Sequence, residues 1–264
     1  MEITRINESI YRIKIPYKNI FTTVYLIKSD KGAILFDAAT TEYDVENYIL
    51  PRLSECGVEM GDVKYVFISH AHGDHIGGLR PLLERLPDSV AVSFSPQVKE
   101  DYSDFKVKIA AEGDKLLEHF TLVQIPGHTA DSAAILDTRT KTLITGDCLQ
   151  VYGIFGSDYW GSNISLSTEH LEALSRLRTM DIENIYTAHD FMPYGFKACG
   201  KEEVAKFIDA CEEPIMKIRR LITENPSLDD AEIRALYNND APDLFPPVGL
   251  HVITKARAAI TEVR

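Results

Sequence analysis

Val63-Lys64-Tyr65-Val66-Phe67-Ile68-Ser69-His70-Ala71-His72-Gly73-Asp74-His75-Ile76-Gly77-Gly78 is the stretch around which the sequence is organised. Tyr65 to Ile68 form a short apolar, aromatic and β-branched run of the kind that makes a buried strand. That run ends at Ser69 and is followed by His70, His72, Asp74 and His75. A buried strand that ends in three imidazoles and a carboxylate needs something to satisfy them, and these groups are good ligands for borderline divalent metals. Gly73, Gly77 and Gly78 are expected to let the backbone turn tightly, so that neighbours in sequence converge from different directions. No His-Glu-x-x-His occurs, so the ligands are expected on a loop and not on one helix face.

The same device recurs along the chain. Alternation over residues 10–15 predicts a first strand. Residues 22–27 and 33–36 follow as two strands joined by the turn Ser29-Asp30-Lys31-Gly32. The second of them runs into Asp37, readable either as support for a ligand or as a helix cap. Residues 41–53 have helical spacing with Pro51 disturbing the end, and residues 79–86 a short helix. Further strands are expected at 91–94, 120–125, 133–136, 142–145 and 182–187, and a short helical piece at 97–102. Strand ends deliver His128 after Pro126-Gly127, Asp147 after Gly146, and His189 after Ala188. Ser167 reads as the N-cap of a helix bearing Leu171, Leu174 and Leu177. From Lys201 on the pattern is helical, with a break at Asn225-Pro226-Ser227 and two further helices over 228–237 and 252–263.

His70-x-His72-x-Asp74-His75, followed in order by His128, Asp147 and His189, resembles the signature of the metallo-β-lactamase superfamily. The resemblance implies an α/β (α+β) fold, the four-layer αββα sandwich. It would occupy residues 1–200, with a helical C-terminal extension over 201–264 packed on the core. It implies two divalent metal ions, zinc first, with iron or manganese suiting the same ligands. His70, His72 and His128 would hold one ion and Asp74, His75 and His189 the other, with Asp147 bridging. A metal-bridging hydroxide would then cleave a small ester, thioester or lactone. Asp74 would double as proton shuttle, and Tyr152 and Tyr194 are the expected hydrogen-bond donors to substrate. His119, His170 and His251 fall outside the ligand pattern and read as surface or packing residues. Cys148 is expected to point away from the site if its strand persists.

The runner-up is a phosphodiesterase or nuclease of the same fold. Flavodiiron proteins share the fold, but they usually carry Glu at the position of His72 and need a flavin domain. A persulfide dioxygenase-like oxidoreductase keeps the histidine pattern around one iron. Bulk properties bear on this choice. The chain has 264 residues and a formal net charge of −12, with 26% charged and 45% hydrophobic residues. Such an acidic chain is a poor partner for nucleic acid, and it lacks an apolar run that spans a bilayer. The N-terminus from Met1 to Arg5 has no apolar leader, and Cys56, Cys148, Cys199 and Cys211 are scattered without a Cys-x-x-Cys pair. A reducing cytoplasm is the expected compartment. The partner is expected to be a small-molecule substrate, with a homo-oligomer contact through the C-terminal helices. The aromatic and glycine-rich residues 152–161 read as a pocket wall.

Overall fold

Strands form where short apolar runs are bounded by turn residues, and a computed structural model places them as follows; it describes residues 3–241 and 245–262. Val263 of the last expected helix and Met1 and Glu2 of the N-terminal reading lie outside the described residues. Contacts gather the chain into two units, residues 1–124 with 133–139, and residues 125–132 with 140–264. The units divide near residues 124 and 139, and the C-terminal helices belong to the second.

In the first unit, β1 (Ile3–Arg5), β2 (Ile10–Tyr17), β3 (Ile20–Ser29) and β4 (Gly32–Phe36) form an antiparallel run. β5 (Val63–Ile68), β6 (Val90–Ser93) and β7 (Val107–Ile109) add to it in parallel. Among the described residues this sheet has seven strands in sequence order. Gly32, at φ +125°, closes the β3–β4 hairpin, a conformation side chains resist.

Register aligns Leu26, Leu35, Val66 and Ala91 on one face of the sheet. All four are buried with Val45, Ile49, Leu53, Leu79, Leu82 and Leu83 from the crossing helices. Tyr25, Phe36, Phe67 and Val92 make the next row, on the opposite face. Phe36 lies 5.3 Å from Phe67 and 6.2 Å from Tyr25, ring to ring. A sheet buried on both faces explains why β4 and β5 read as continuous apolar runs instead of alternating ones. Each of these fully buried Leu or Phe side chains contributes roughly 1.5–3 kcal/mol.

The helices of this unit are short: α1 (Glu42–Asp44), α2 (Leu50–Glu55), α3 (Gly73–Ile76), α4 (Leu79–Arg85) and α5 (Pro96–Asp101). The single helix expected over 41–53 is in fact α1, a π-helical turn over Val45–Ile49, and α2. Pro51 falls in the first turn of α2, where its missing N–H costs nothing. β8 (Lys115–Leu116), β9 (Phe120–Gln124) and β10 (Ala133–Asp137) pair antiparallel.

In the second unit β11 (Thr142–Thr145) pairs in parallel with β12 (Asn184–Phe191), and β13 (Gly195–Cys199) runs back along β12. The strand expected to end at residue 187 thus continues to Phe191, and the connection read after it contains β13. α6 (Ser167–Leu177), α7 (Lys201–Glu224), α8 (Asp230–Asn239) and α9 (Leu250–Glu262) complete this unit. The last three share a core of Ile218, Ile222, Ile233, Tyr237, Val248, Val252 and Ile253. No described helix is long and apolar enough to cross a membrane.

Candidate metal centre

The ligand-type residues fall into two sets, one within each unit. In the first, β5 stops at Ile68 and hands the chain to Ser69 and His70, both buried. Asp37, fully buried at φ +67°, sits at the end of the neighbouring strand, its N–H on the carbonyl of Phe67 at 2.7 Å. Its Oδ1 accepts the Ser69 N–H at 2.7 Å. Its Oδ2 accepts the Ser69 hydroxyl at 2.9 Å and His75 Nδ1–H at 2.7 Å. Burial pushes the Asp37 carboxyl above the usual range, and the His75 charge with the Ser69 and His75 hydrogen bonds pulls it back. Asp37 thus bonds the ligand candidate His75, and the cap of the following helix is Thr41.

Those bonds fix tautomers. With Nδ1–H on Asp37, His75 carries its lone pair on Nε2, 3.5 Å from Asp74 Oδ2. With the Ser69 hydroxyl donated to Asp37, its oxygen accepts Nδ1–H of His70 at 3.1 Å, which leaves the His70 lone pair on Nε2. That nitrogen faces His72 Nδ1 at 3.1 Å, and the His70 and His75 rings lie 4.2 Å apart. The loop expected to carry all four is partly helical, since Asp74 and His75 lie in α3. Gly77 and Gly78 have ordinary negative φ, so they do not serve a tight left-handed turn. They serve close approach: a Cβ on Gly77 would lie 2.1 Å from the carbonyl oxygen of Thr40, and one on Gly78 2.2 Å from that of Ala38.

In the second unit, His128 follows Gly127, whose carbonyl accepts the N–H groups of Ser165 and Leu166, both at 2.8 Å. His128 Nδ1–H donates to the main-chain oxygen of Asn163 at 2.7 Å, again leaving the lone pair on Nε2. Asp147 lies two residues beyond β11. Its Oδ2 is 3.7 Å from His128 Nε2 and its Oδ1 3.2 Å from His189 Nε2. One carboxylate thus presents an oxygen to each of two imidazoles. His189 sits inside β12, where the pairing with β13 is irregular between Tyr186 and Phe191. Gln150 steadies this set: Nε2 donates to Asp147 Oδ2 at 3.4 Å, and Oε1 accepts the Asn163 N–H at 2.8 Å. Sequence reading missed Gln150 and Asn163. A polar residue three positions after the carboxylate was the only signal for Gln150, and the Asn163 contribution is a main-chain oxygen.

The other expected site residues lie as follows. The Tyr152 hydroxyl donates to Glu213 of α7, and its ring stacks on Phe245 at 4.5 Å and 9°. Burial and the Glu213 carboxylate push the phenol well above its ordinary range. The Tyr194 hydroxyl donates to the Lys206 carbonyl at 3.3 Å, and burial raises its pKa. Both hydroxyls are thus engaged by α7. Cys148 is buried, but β11 ends at Thr145, so strand alternation says nothing about where it points. Ser167 is the first residue of α6 and not its cap; its Oγ accepts from Arg219 at 2.9 Å. On the same helix His170 is buried beside Leu174 and Leu177, while Leu171 is only partly covered. The 152–161 segment is pinned by a Gly153–Gly161 bridge and by an Ile154–Phe191 bridge to β12, leaving Phe155 and Tyr159 exposed.

Imidazoles aimed by an oxygen on their far nitrogen, with carboxylates beside them, are a donor set for a divalent ion of the zinc, iron or manganese kind. The fold and this donor set define a metal-binding α/β protein. The model of the Metallo-beta-lactamase superfamily matches residues 18–93 and 86–189, well over half of the chain, and the chain belongs to that superfamily. Its αββα fold class follows with it. A "Beta-lactamase-like protein 2 homolog" of Caenorhabditis elegans is 23% identical over 231 residues, 84% of this chain and 72% of that protein. A hydroxyacylglutathione hydrolase of Francisella philomiragia is 32% identical over 130 residues, 48% of this chain and 49% of that protein. The match thus spans about half the length of that hydrolase. Among solved structures, the rubredoxin oxygen:oxidoreductase of Desulfovibrio gigas superposes with a TM-score of 0.67 at 14% identity, over 97% of this chain and 75% of that one. At that identity the likeness shows a shared fold alone.

Proposed function

We propose that the chain is a dinuclear metal-dependent hydrolase of a small ester, thioester or lactone. His70, His72 and His128 would hold one ion, Asp74, His75 and His189 the second, and Asp147 would bridge them. The observation that carries this reading is the orientation of the imidazoles. His70, His75 and His128 each give Nδ1–H to an oxygen of the chain, and so each reserves Nε2 for a ligand. The Asp147 carboxylate between His128 and His189 fits the bridging role. Bound divalent ions supply a water acidified toward neutral pH and a Lewis acid for the developing negative charge.

The chain's own residues do the rest. Asp37 and the Asn163 oxygen hold ligand rings in one tautomer. Asp74, whose carboxylate is partly exposed beside His75, would pass a proton to the leaving group. Acyl substrates are favoured over polyanions because the net charge of −12 opposes a phosphate backbone. The hydroxyacylglutathione hydrolase among the relatives supports an acyl substrate, and zinc is the first choice of metal for imidazole and carboxylate ligands.

The test is elemental analysis after reconstitution, with Asp147→Ala for comparison, and one panel of esters, thioesters, lactones, β-lactams and phosphodiesters with oxygen uptake followed in parallel. Two ions per chain and dominant acyl hydrolysis are expected. No more than one ion in the reconstituted chain, dominant phosphodiester turnover, or oxygen consumption without hydrolysis would sink the proposal.

A further inference from the structure

The C-terminal helices are expected from sequence as an extension packed on the core. Their contacts within the second unit lead toward the ligand candidate His128. Asn163 is held at three points. Its main-chain oxygen accepts from His128, its N–H rests on Gln150, and its side-chain Oδ1 meets His251 Nε2 of α9 at 2.6 Å. The residues before α9 press on the same strip. The Gly161 N–H donates to the Pro247 carbonyl at 3.2 Å. A Cβ on Gly161 would lie 2.6 Å from the carbonyl oxygens of Pro246 and Pro247, so only glycine permits this approach.

That segment is anchored in turn by α8. The Val248 carbonyl accepts Arg234 Nε at 2.9 Å, and the Val248 N–H donates to Asn238 Oδ1 at 3.0 Å. The missing side chain of Gly249 leaves the space the His251 ring occupies, since a Cβ there would be 2.5 Å from His251 Cε1.

We propose that His251 is a positioning residue for His128: from α9 it holds Asn163, whose main-chain oxygen sets the tautomer and aim of the ligand ring. The inference rests on reading His128 as a metal ligand. It makes the C-terminal helices part of the metal site's support. Asn163 lies in an irregular segment, and an irregular segment has no ladder of its own to fix a carbonyl direction. The ties to Gln150 and His251 supply that direction. A partner bonded directly to a ligand typically changes metal affinity by about 10–100-fold when removed, and His251 acts one bond further out.

The experiment measures zinc affinity of the metal-free full chain by competition with a chromophoric chelator, alongside its thermal midpoint without metal. His251→Ala should bind zinc about tenfold more weakly, the lower end of that range, with an unchanged metal-free midpoint. His251→Gln, which keeps a donor, should recover much of the loss. Thr261→Ala, on the same helix and bonded to the carbonyl of Arg257, should bind as the wild type does. Wild-type affinity in His251→Ala overturns the proposal, as does an equal loss in Thr261→Ala or a fall in the metal-free midpoint that accounts for the weakened binding. A wild-type chain that takes up no zinc removes the ground for the metal site as a whole, a result distinct from these.

Discussion

His170 is an imidazole that the fold keeps neutral. It is fully buried, and its ring lies so close to Gly127 that a Cβ there would be 2.3 Å from Nδ1. Burial above all, and the nearby His128, lower its pKa to about 4, against the pull of the Pro126 carbonyl, which raises it. A base whose folded pKa lies below its ordinary 6.5 contributes stability that is complete above pH 6.5 and lost as pH falls toward 4. At pH 5 the loss from this one group is about 2 kcal/mol. Metal-free protein should therefore weaken between pH 7 and pH 5 by about that much more than His170→Gln, measured by urea denaturation. Parallel declines in the two proteins would show that His170 is not the group responsible. At this scale the seven ligand candidates were legible because chemistry confines ligation to a few side chains. Gln150, Asn163 and His251 were not legible. Two are polar residues in loops, where such residues are ordinary, and His251 looked like a surface histidine, which by exposure it is.

Elements were legible where burial wrote a continuous pattern and illegible where backbone hydrogen bonding decided. β4 and β5 announce themselves by Ala33 to Phe36 and Tyr65 to Ile68, and the Ser29–Gly32 turn between β3 and β4 by its glycine. β13 does not, because Gly195-Phe-Lys-Ala-Cys199 buries only Ala198 fully. The π-helical turn over Val45–Ile49 has no sequence signature of its own. The start of that helical stretch does: Thr41 Oγ1 accepts the Asp44 N–H at 3.2 Å, and Asp44 Oδ2 accepts the Thr41 N–H at 2.9 Å. Loss of the Thr41 Oγ1 half of this cap in Thr41→Ala should cost about 1 kcal/mol, read from the shift of a urea midpoint at constant slope. A shift near zero would mean that packing of Val45 and Ile49 alone holds the turn.

For the molecule as a whole, cysteine chemistry gives a direct check. None of the four cysteines, each among the described residues, is joined in a disulfide. Cys148 and Cys211 are buried, Cys56 is partly covered and Cys199 is exposed. Burial pushes the Cys211 thiol up, away from the reactive thiolate. A thiol reagent should therefore modify Cys199 first in the native protein and all four residues in denaturant without reductant. Fewer than four under denaturing conditions, with handling oxidation excluded, would contradict the reducing compartment inferred from their scatter. The superfamily was legible from the order of motifs. The division into two units was not, because residues 125–132 and 133–139 exchange allegiance within a few positions.

The hydrogen bond that aims His128 ends on a peptide oxygen. Every amino acid brings that oxygen, so no change of codon 163 deletes it. Asp37 is different: a single base substitution can erase the carboxylate that aims His75. The two halves of the ligand set therefore age differently under mutation. Drift at position 163 severs the tie to α9 and with it the direction of that oxygen, while the oxygen itself stays in place as an acceptor for His128.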